Sequence, residues 1–417
     1  MADLTFTSTT QDWRRGSRPI GLAIAHRRAA GVLLLALFGY GAAMMLASGV
    51  PLAQLVKVVG TYLPLAAGAY AIVALSYVLS LLLSPGNRTD FASRFVWLTV
   101  AALMVCLTYP FFGMFKQIIL PTRGFVWDMA FADTGRVLFG VSPWRITHGW
   151  FRTLDQTRFL DTMYSLWLPI MFFVPLVAAV VCTNAILRFR ILSSWFLAWV
   201  LIGSLAAWMF PSAGPCYFNA LVGPDADYAV LEHRLTLLRK AAEAGGYPIA
   251  ALEFQPILLH SCRVGGFGFT GGISAMPSMH VALAFLLAIL GWKRNWAWGL
   301  LASAYLLLIW IGSIHFGWHY FVDGPAAAVL MMAIWKLSKP IANALYSDTC
   351  AQDFAFELTS APKLVSIPNA APTAQGSANA FNDRNASWSN SAQNPDDIAA
   401  SPHCPTPART RALSGAR

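Results

Sequence analysis

Apolar runs long enough to cross a lipid bilayer recur along this chain, at about residues 31–50, 61–83, 95–113, 164–186, 194–210, 279–292, 297–314 and 320–337. A helix needs ~17 to 25 mostly apolar residues to span the hydrocarbon, where no water is present to satisfy an open backbone. The pattern predicts an all-α fold, a polytopic membrane helical bundle of about eight transmembrane helices, with six or seven spans also compatible with it. The run at 279–292 is short, so its flanks must extend it or it must begin inside a protein-lined cavity. Two long connections interrupt the runs, about 114–163 and 211–278. The first mixes aromatic and charged residues, as helices lying in the headgroup plane do, with Trp127, Trp144 and Trp150 as interfacial anchors. In the second, residues 226–245 alternate charged and apolar faces at helical spacing and are expected to cap the bundle.

Composition agrees with the pattern: 57% of the 417 residues are hydrophobic and 12% are charged, too apolar for a soluble domain. The net charge of +10 raises the question of nucleic acid. The basic residues cluster beside span ends, however, where anionic membrane lipids and the positive-inside bias account for them, so nucleic-acid binding is not expected. Arg14, Arg15, Arg18, Arg27, Arg28, Arg88, Arg94, Arg188, Arg190, Lys293, Arg294, Lys336 and Lys339 fall on one side of an eight-span topology, assigned as cytoplasmic. The long connections then face outward. No cleavable leader is expected in the polar, Arg-rich first thirty residues. The expected organisation is a cytoplasmic segment over 1–30, transmembrane and interfacial helices over 31–163, a second membrane domain over 164–340, and a disordered cytoplasmic tail over 346–417, rich in Ala, Ser, Asn and Pro.

Three polar segments map to the outer face: "FPSAGPCYF" at 210–218, "AMPSMH" at 275–280 and "GSIHFGWHYFVDG" at 312–324. Ser278 after Pro277 reads as a helix N-cap, which puts His280 in the first turn, at the positive end of the helix dipole. Such an end attracts anions, and the Gly-rich approach at 265–272, ending at Gly272, offers further backbone donors. His319 and Asp323 are four apart, which on a helix brings them to one face. The carboxylate can then fix the ring's tautomer and leave the other nitrogen as nucleophile or base. Ionisable residues at membrane depth are rare and usually functional, so His280, His319 and Asp323 form the candidate catalytic set. His260 and His315 taken singly read as interfacial residues. Cys216 and Cys262 share the outer connection and are the candidate pair for a disulfide if that face is oxidising.

"PSMH" followed some forty residues later by "HYFVD" resembles the type 2 phosphatidic acid phosphatase superfamily, and "HYFVD" in a polytopic frame is similar to its inositol phosphorylceramide synthase branch. The resemblance covers roughly residues 164–340 and implies a six-helix catalytic membrane core there. It also implies that His319 attacks the phosphorus of a lipid phosphate or phosphodiester, that Asp323 supports it, that His280 protonates the leaving oxygen, and that Ser278 and nearby amides hold phosphate oxygens. No metal or cofactor is implied. The second substrate is water, an alcohol or a lipid acceptor, a choice that the sequence leaves open. The active site is expected on the extracytoplasmic side of the cell membrane.

Two of the superfamily's features find no counterpart in this reading. Its first motif, a Lys and then Arg-Pro after six residues, is without a match, and Gly312-Ser313 stands where a Ser-Arg pair would precede the nucleophile. Arg263 is the first candidate for the missing cation and His315, one turn before His319, the second. Two other classes compete with the lipid phosphotransferase. A metal-dependent membrane enzyme would ligate an ion with His315, His319 and Asp323 at steps of four. A lipid transporter or scramblase would relay protons through the same cluster, although no inverted repeat pairs the two halves.

Overall fold

The computed structural model describes residues 12–83, 91–264 and 272–360, with side chains over 22–83, 91–264 and 272–347. The Gly-rich run at 265–271 lies outside the described residues, as do residues 1–11, 84–90 and the part of the expected 346–417 tail from 361 onward, whereas residues 346–360 continue a helix. The chain forms two compact units, Met1–Ser347 and Asp348–Arg417. Among the described residues there is no strand.

Three long helices open the chain: α1 (Asp12–Ser48), α2 (Leu52–Leu83) and α3 (Phe91–Arg123). Three shorter ones follow, α4 (Asp128–Phe139), α5 (Pro143–Trp150) and α6 (Leu154–Ser165), where interfacial helices were expected. Next come α7 (Trp167–Val181), then α8 (Ala185–Leu197), which continues through a π-helical stretch, Ala198–Ala206, into α9 (Ala207–Met209). The second long connection carries α10 (Phe218–Leu221), α11 (Ala226–Ala244) and α12 (Ala250–Val264). The last described helices are α13 (Met279–Arg294), α14 (Trp296–His315) and α15 (Asp323–Ser360).

Among the described residues six helical segments are long and apolar enough to cross a membrane: 22–48, 52–83, 91–123, 154–181, 185–209 and 296–315. Two of the eight expected spans fall short of that measure. At ~1.5 Å per residue the sixteen residues of α13 reach only about 24 Å, less than the ~30 Å of a hydrocarbon core. The remaining one, the expected span 320–337, begins as a helix only at Asp323 and carries Lys336, with Lys339 just beyond it. The six segments also start earlier than the apolar runs, by one to ten residues. Leu154–Val181 draws in the amphipathic α6, whose start is fixed by a capping box between Thr153 and Gln156. Ala185–Met209 starts where the Asn184 side chain accepts the Leu187 N–H.

One apolar core runs through α1, α2, α3, α7, α8, α13 and α14. The α13–α14 hairpin closes tightly because Gly291 and Gly299 carry no Cβ: one at Gly291 would sit 2.5 Å from the Trp298 carbonyl oxygen. At one end of the bundle arginines hold helix ends together. Arg94 donates to the Val180 carbonyl, Arg188 to that of Cys182 and Arg190 to that of Trp335. At the other end the three polar segments meet. Ala275 N–H donates to Ser212 O (2.9 Å), Cys216 N–H to Gly317 O (2.8 Å) and Ser278 N–H to Asp323 O (3.3 Å). A smaller cluster of Phe115, Ile119, Phe125, Ala213, Tyr217 and Ile273 packs beneath this junction.

Candidate active site

His319 lies in the turn between α14 and α15, and Asp323 is the first residue of α15. Their four-residue spacing is therefore bridged by a turn rather than by the helix expected from the sequence. The imidazole is almost fully buried and Asp323 completely so. His319 Nδ1 is 2.7 Å from the Ala275 carbonyl oxygen and 3.3 Å from Asp323 Oδ2. A carbonyl oxygen only accepts, so Nδ1 carries the hydrogen and donates to both, which leaves the lone pair on Nε2. Asp323 Oδ2 also accepts the Tyr320 N–H at 2.9 Å, and its Oδ1 has no hydrogen-bond partner among the described residues.

Ser278 caps α13, its Oγ accepting the Val281 N–H at 3.3 Å, so His280 occupies the first turn as its position in sequence suggests. The His280 ring stands 5.8 Å from that of His319, at 66° between planes. Two aromatics that the sequence did not single out hold it: Tyr164 stacks on it at 4.5 Å and 14°, and Trp167 lies at 4.1 Å. Gly312, in the place of the superfamily's Ser, makes room for this. A Cβ there would be 3.3 Å from Tyr164 Cδ2. Ser313 turns its hydroxyl to the Trp310 carbonyl, and its own carbonyl accepts the Trp318 and His319 N–H groups, which shapes the turn.

His315, the second expected cation, faces away from the paired imidazoles. His315 is fully buried, with its ring stacked 4.0 Å from His148 and its Nε2 3.4 Å from Thr157 Oγ1. It belongs to the packing of α5 and α6 against α14. Arg263 is exposed in the last turn of α12, beside the undescribed Gly-rich run. Lys116 of α3 is a cation whose charge bears on His280. Its Nζ sits 5.5 Å over the Phe112 ring, and Gly272, at φ 81°, lies so close that a Cβ there would be 2.5 Å from Lys116 Cβ. Lys116 and Arg123 have six residues between them, with Gly124 where the superfamily's first motif has Pro. The Lys-x6-Arg part of that motif is thus present, against the sequence reading. Gly124 ends α3 at φ 63°, a conformation closed to Pro, and the Arg123 guanidinium stacks 4.6 Å over the Trp208 ring.

Asp128, at the start of α4, is the polar residue that sequence reasoning missed most completely. It is fully buried. Its carboxylate accepts from Ala213 N–H (2.9 Å), Gly214 N–H (2.9 Å) and Tyr320 Oη–H (2.7 Å). Burial pushes its pKa up to about 6, against the pull of those donors. Trp144, expected to be an interfacial anchor, is instead buried and donates to Asp227 Oδ2 at 3.0 Å. Trp127 and Trp150 are exposed as expected.

Cys216 and Cys262 are free thiols, so the anticipated disulfide is not formed. Cys216 is held against the turn by its N–H bond to Gly317 O, whereas Cys262 lies in the field of Lys116 and Arg263. Among the described residues no three His, Cys, Asp or Glu side chains converge as metal ligands, and with His315 turned toward His148 the triad of the metal-dependent alternative does not assemble.

The fold and the site together define a multi-pass, all-helical membrane protein with two facing imidazoles, His319 buried and His280 partly so, and a buried carboxylate where three polar segments meet. Residues 137–337, just under half of the chain, match the family model of the PAP2 superfamily, whose members are generally phosphatases. Both polar motifs, "PSMH" and "HYFVD", fall inside that segment, whereas Lys116 and Asp128 precede it. No curated protein and no solved structure matches the chain.

Proposed function

We propose that this protein is a PAP2-type membrane enzyme that transfers or hydrolyses the phosphoryl group of a lipid phosphate ester or phosphodiester through a phosphohistidine. The observation that carries this reading is the arrangement of the two rings. His319 has its Nδ1 hydrogen committed to Ala275 O and Asp323, and His280 faces it at 5.8 Å, close enough for both to contact one phosphoryl group. In the first step Nε2 of His319 forms a bond to phosphorus, the bond from phosphorus to the leaving oxygen breaks, and protonated His280 gives that oxygen its proton. In the second, His280 takes a proton from water or an alcohol, the oxygen attacks phosphorus, and the N–P bond breaks. Lys116 and the N–H groups at the start of α13 would stabilise the equatorial oxygens, and Ser278 would preserve that helix end.

The "HYFVD" sequence, similar to inositol phosphorylceramide synthases, favours an alcohol acceptor and hence transfer. The distribution of Lys and Arg favours a site on the extracytoplasmic side of the cell membrane.

The test is to incubate the purified wild type and His319→Gln with labelled lipid phosphates and phosphodiesters, with and without alcohol acceptors, and to identify the products. Turnover that survives in folded His319→Gln would overturn the assignment of the nucleophile. Inhibition by vanadate with indifference to chelators is expected, and activity lost to a chelator and restored by metal would favour the metal-dependent class. Lipid flux across vesicles that persists in His319→Ala, without turnover, would favour a transporter.

A further inference from the structure

We propose that Asp128 is a positioning residue for His319, acting through the 211–214 loop and through Tyr320; the proposal rests on the reading of His319 as nucleophile. The hydrogen that fixes the tautomer of His319 has two acceptors, and both are traced back to this one carboxylate. In one direction Asp128 binds the N–H groups of Ala213 and Gly214. That holds Ser212, whose carbonyl accepts the Ala275 N–H at 2.9 Å and whose hydroxyl accepts the Met276 N–H at 3.0 Å. Ala275 in turn presents its carbonyl to His319 Nδ1 at 2.7 Å. In the other direction Asp128 Oδ1 accepts the Tyr320 hydroxyl, and the Tyr320 N–H donates to Asp323 Oδ2, the second acceptor.

The loop between Asp128 and Ala275 has little freedom to absorb a displacement. At Gly214, φ 97°, a Cβ would sit 2.6 Å from the Trp318 carbonyl oxygen, so the loop lies directly on the turn that carries His319. Trp127 N–H adds a bond to Pro211 O at 3.3 Å, which ties the start of α4 to the same loop. A carboxylate needed only to anchor α4 could be satisfied by the loop alone. The Tyr320 hydroxyl, contributed by the residue next to His319, is what couples the anchor to the imidazole.

The experiment compares full-length wild type, Tyr320→Phe and Asp128→Asn on labelled lipid phosphate, with kcat, KM and the pH–rate profile measured and the His319 tautomer read from nitrogen-15 histidine spectra, assigned with His319→Gln. Tyr320→Phe leaves the two backbone bonds of Asp128 in place, so it remains informative if Asp128→Asn does not fold. The expected result is a kcat lower by on the order of 10- to 100-fold with KM nearly unchanged, as for small misplacements of a reacting group. The limb of the profile that reports His319 should shift, and the single Nδ1–H tautomer should become a mixture. Unchanged kcat, profile and tautomer in every variant that folds would overturn the proposal. If the wild type turns over no lipid phosphate, or His319→Gln remains active, the functional reading fails, and the tautomer measurement alone then decides the role of Asp128.

Discussion

His280 and His319 face each other with ring centroids 5.8 Å apart, one in the first turn of α13 and the other in the turn that precedes α15. The Ser278 N–H bond to Asp323 O fastens the two backbones together beside the rings, so neither can move far without the other. Opposed imidazoles of this kind can divide nucleophilic and acid roles between them.

That division predicts an asymmetric response to substitution. His280→Asn should slow turnover of a lipid phosphate by on the order of 10²- to 10⁴-fold, the usual worth of a general acid. With an aryl phosphate, whose leaving group needs no proton, the first step should survive and the second should not. Labelled phosphoenzyme trapped by rapid denaturation should then accumulate in His280→Asn and be absent from His319→Gln. Equal loss of labelling in both would argue against separate roles.

Lys116 is the cation nearest in effect to His280, beside Gly272. Lys116→Ala should raise KM for a lipid phosphate by roughly 10- to 100-fold, the value of a charge-assisted hydrogen bond. Lys116→Gln should do nearly the same, and Arg263→Ala should have little effect. Steady-state kinetics on the three variants distinguish the two candidate cations.

Gly312 leaves the space that Tyr164 fills against His280. Gly312→Leu should push the phenol ring off the imidazole, costing about 1–3 kcal/mol in stability through overpacking and lowering kcat more than KM. Thermal melting in detergent, together with kinetics, checks both parts. Gly312→Ala, with a Cβ 3.3 Å from Tyr164 Cδ2, requires a shift of only a few tenths of an ångström and should fall between wild type and Gly312→Leu.

His148 gives the packing of α5 against α14 a pH dependence whose sign follows from its burial. Burial, helped by the charge of Arg234 and opposed by the hydrogen bond to the His315 carbonyl, lowers its pKa to about 4. The folded protein keeps the ring neutral where the unfolded chain, near 6.5, takes up a proton. Its stabilising contribution is complete above about pH 6.5 and is lost as the pH falls toward 4, by roughly 3 kcal/mol in all. Melting temperatures measured over that window should decline less steeply in His148→Gln. An identical slope would remove His148 as the cause.

The fold class was legible in the chain because lipid imposes a single requirement, closure of the backbone's hydrogen bonds within the segment, and apolar length reports it directly. Local chemistry was legible for a similar reason. The Ser278 cap, the helical stretch at 226–244 and the pairing of His319 with Asp323 all concern residues within a few positions of one another. Periodicity was less informative at α6, where an amphipathic stretch runs on into a span, and at α13, where a short helix carries the residues of greatest interest.

The sequence by itself thus determined a helical membrane bundle and a His/His/Asp set with a capped helix end. Only the tertiary structure decided what surrounds that set: Asp128 on the 211–214 loop, Tyr164 and Trp167 against His280, Lys116 beside Gly272, and His315 turned away toward His148. The reason is physical. Hydrophobic patterning fixes which segments enter the membrane but leaves open how helices distant in sequence rotate and dock against one another. Those rotations are settled by close packing at glycines and by the need of each buried polar group for a partner, and at the site both depend on contacts between residues 85 or more positions apart.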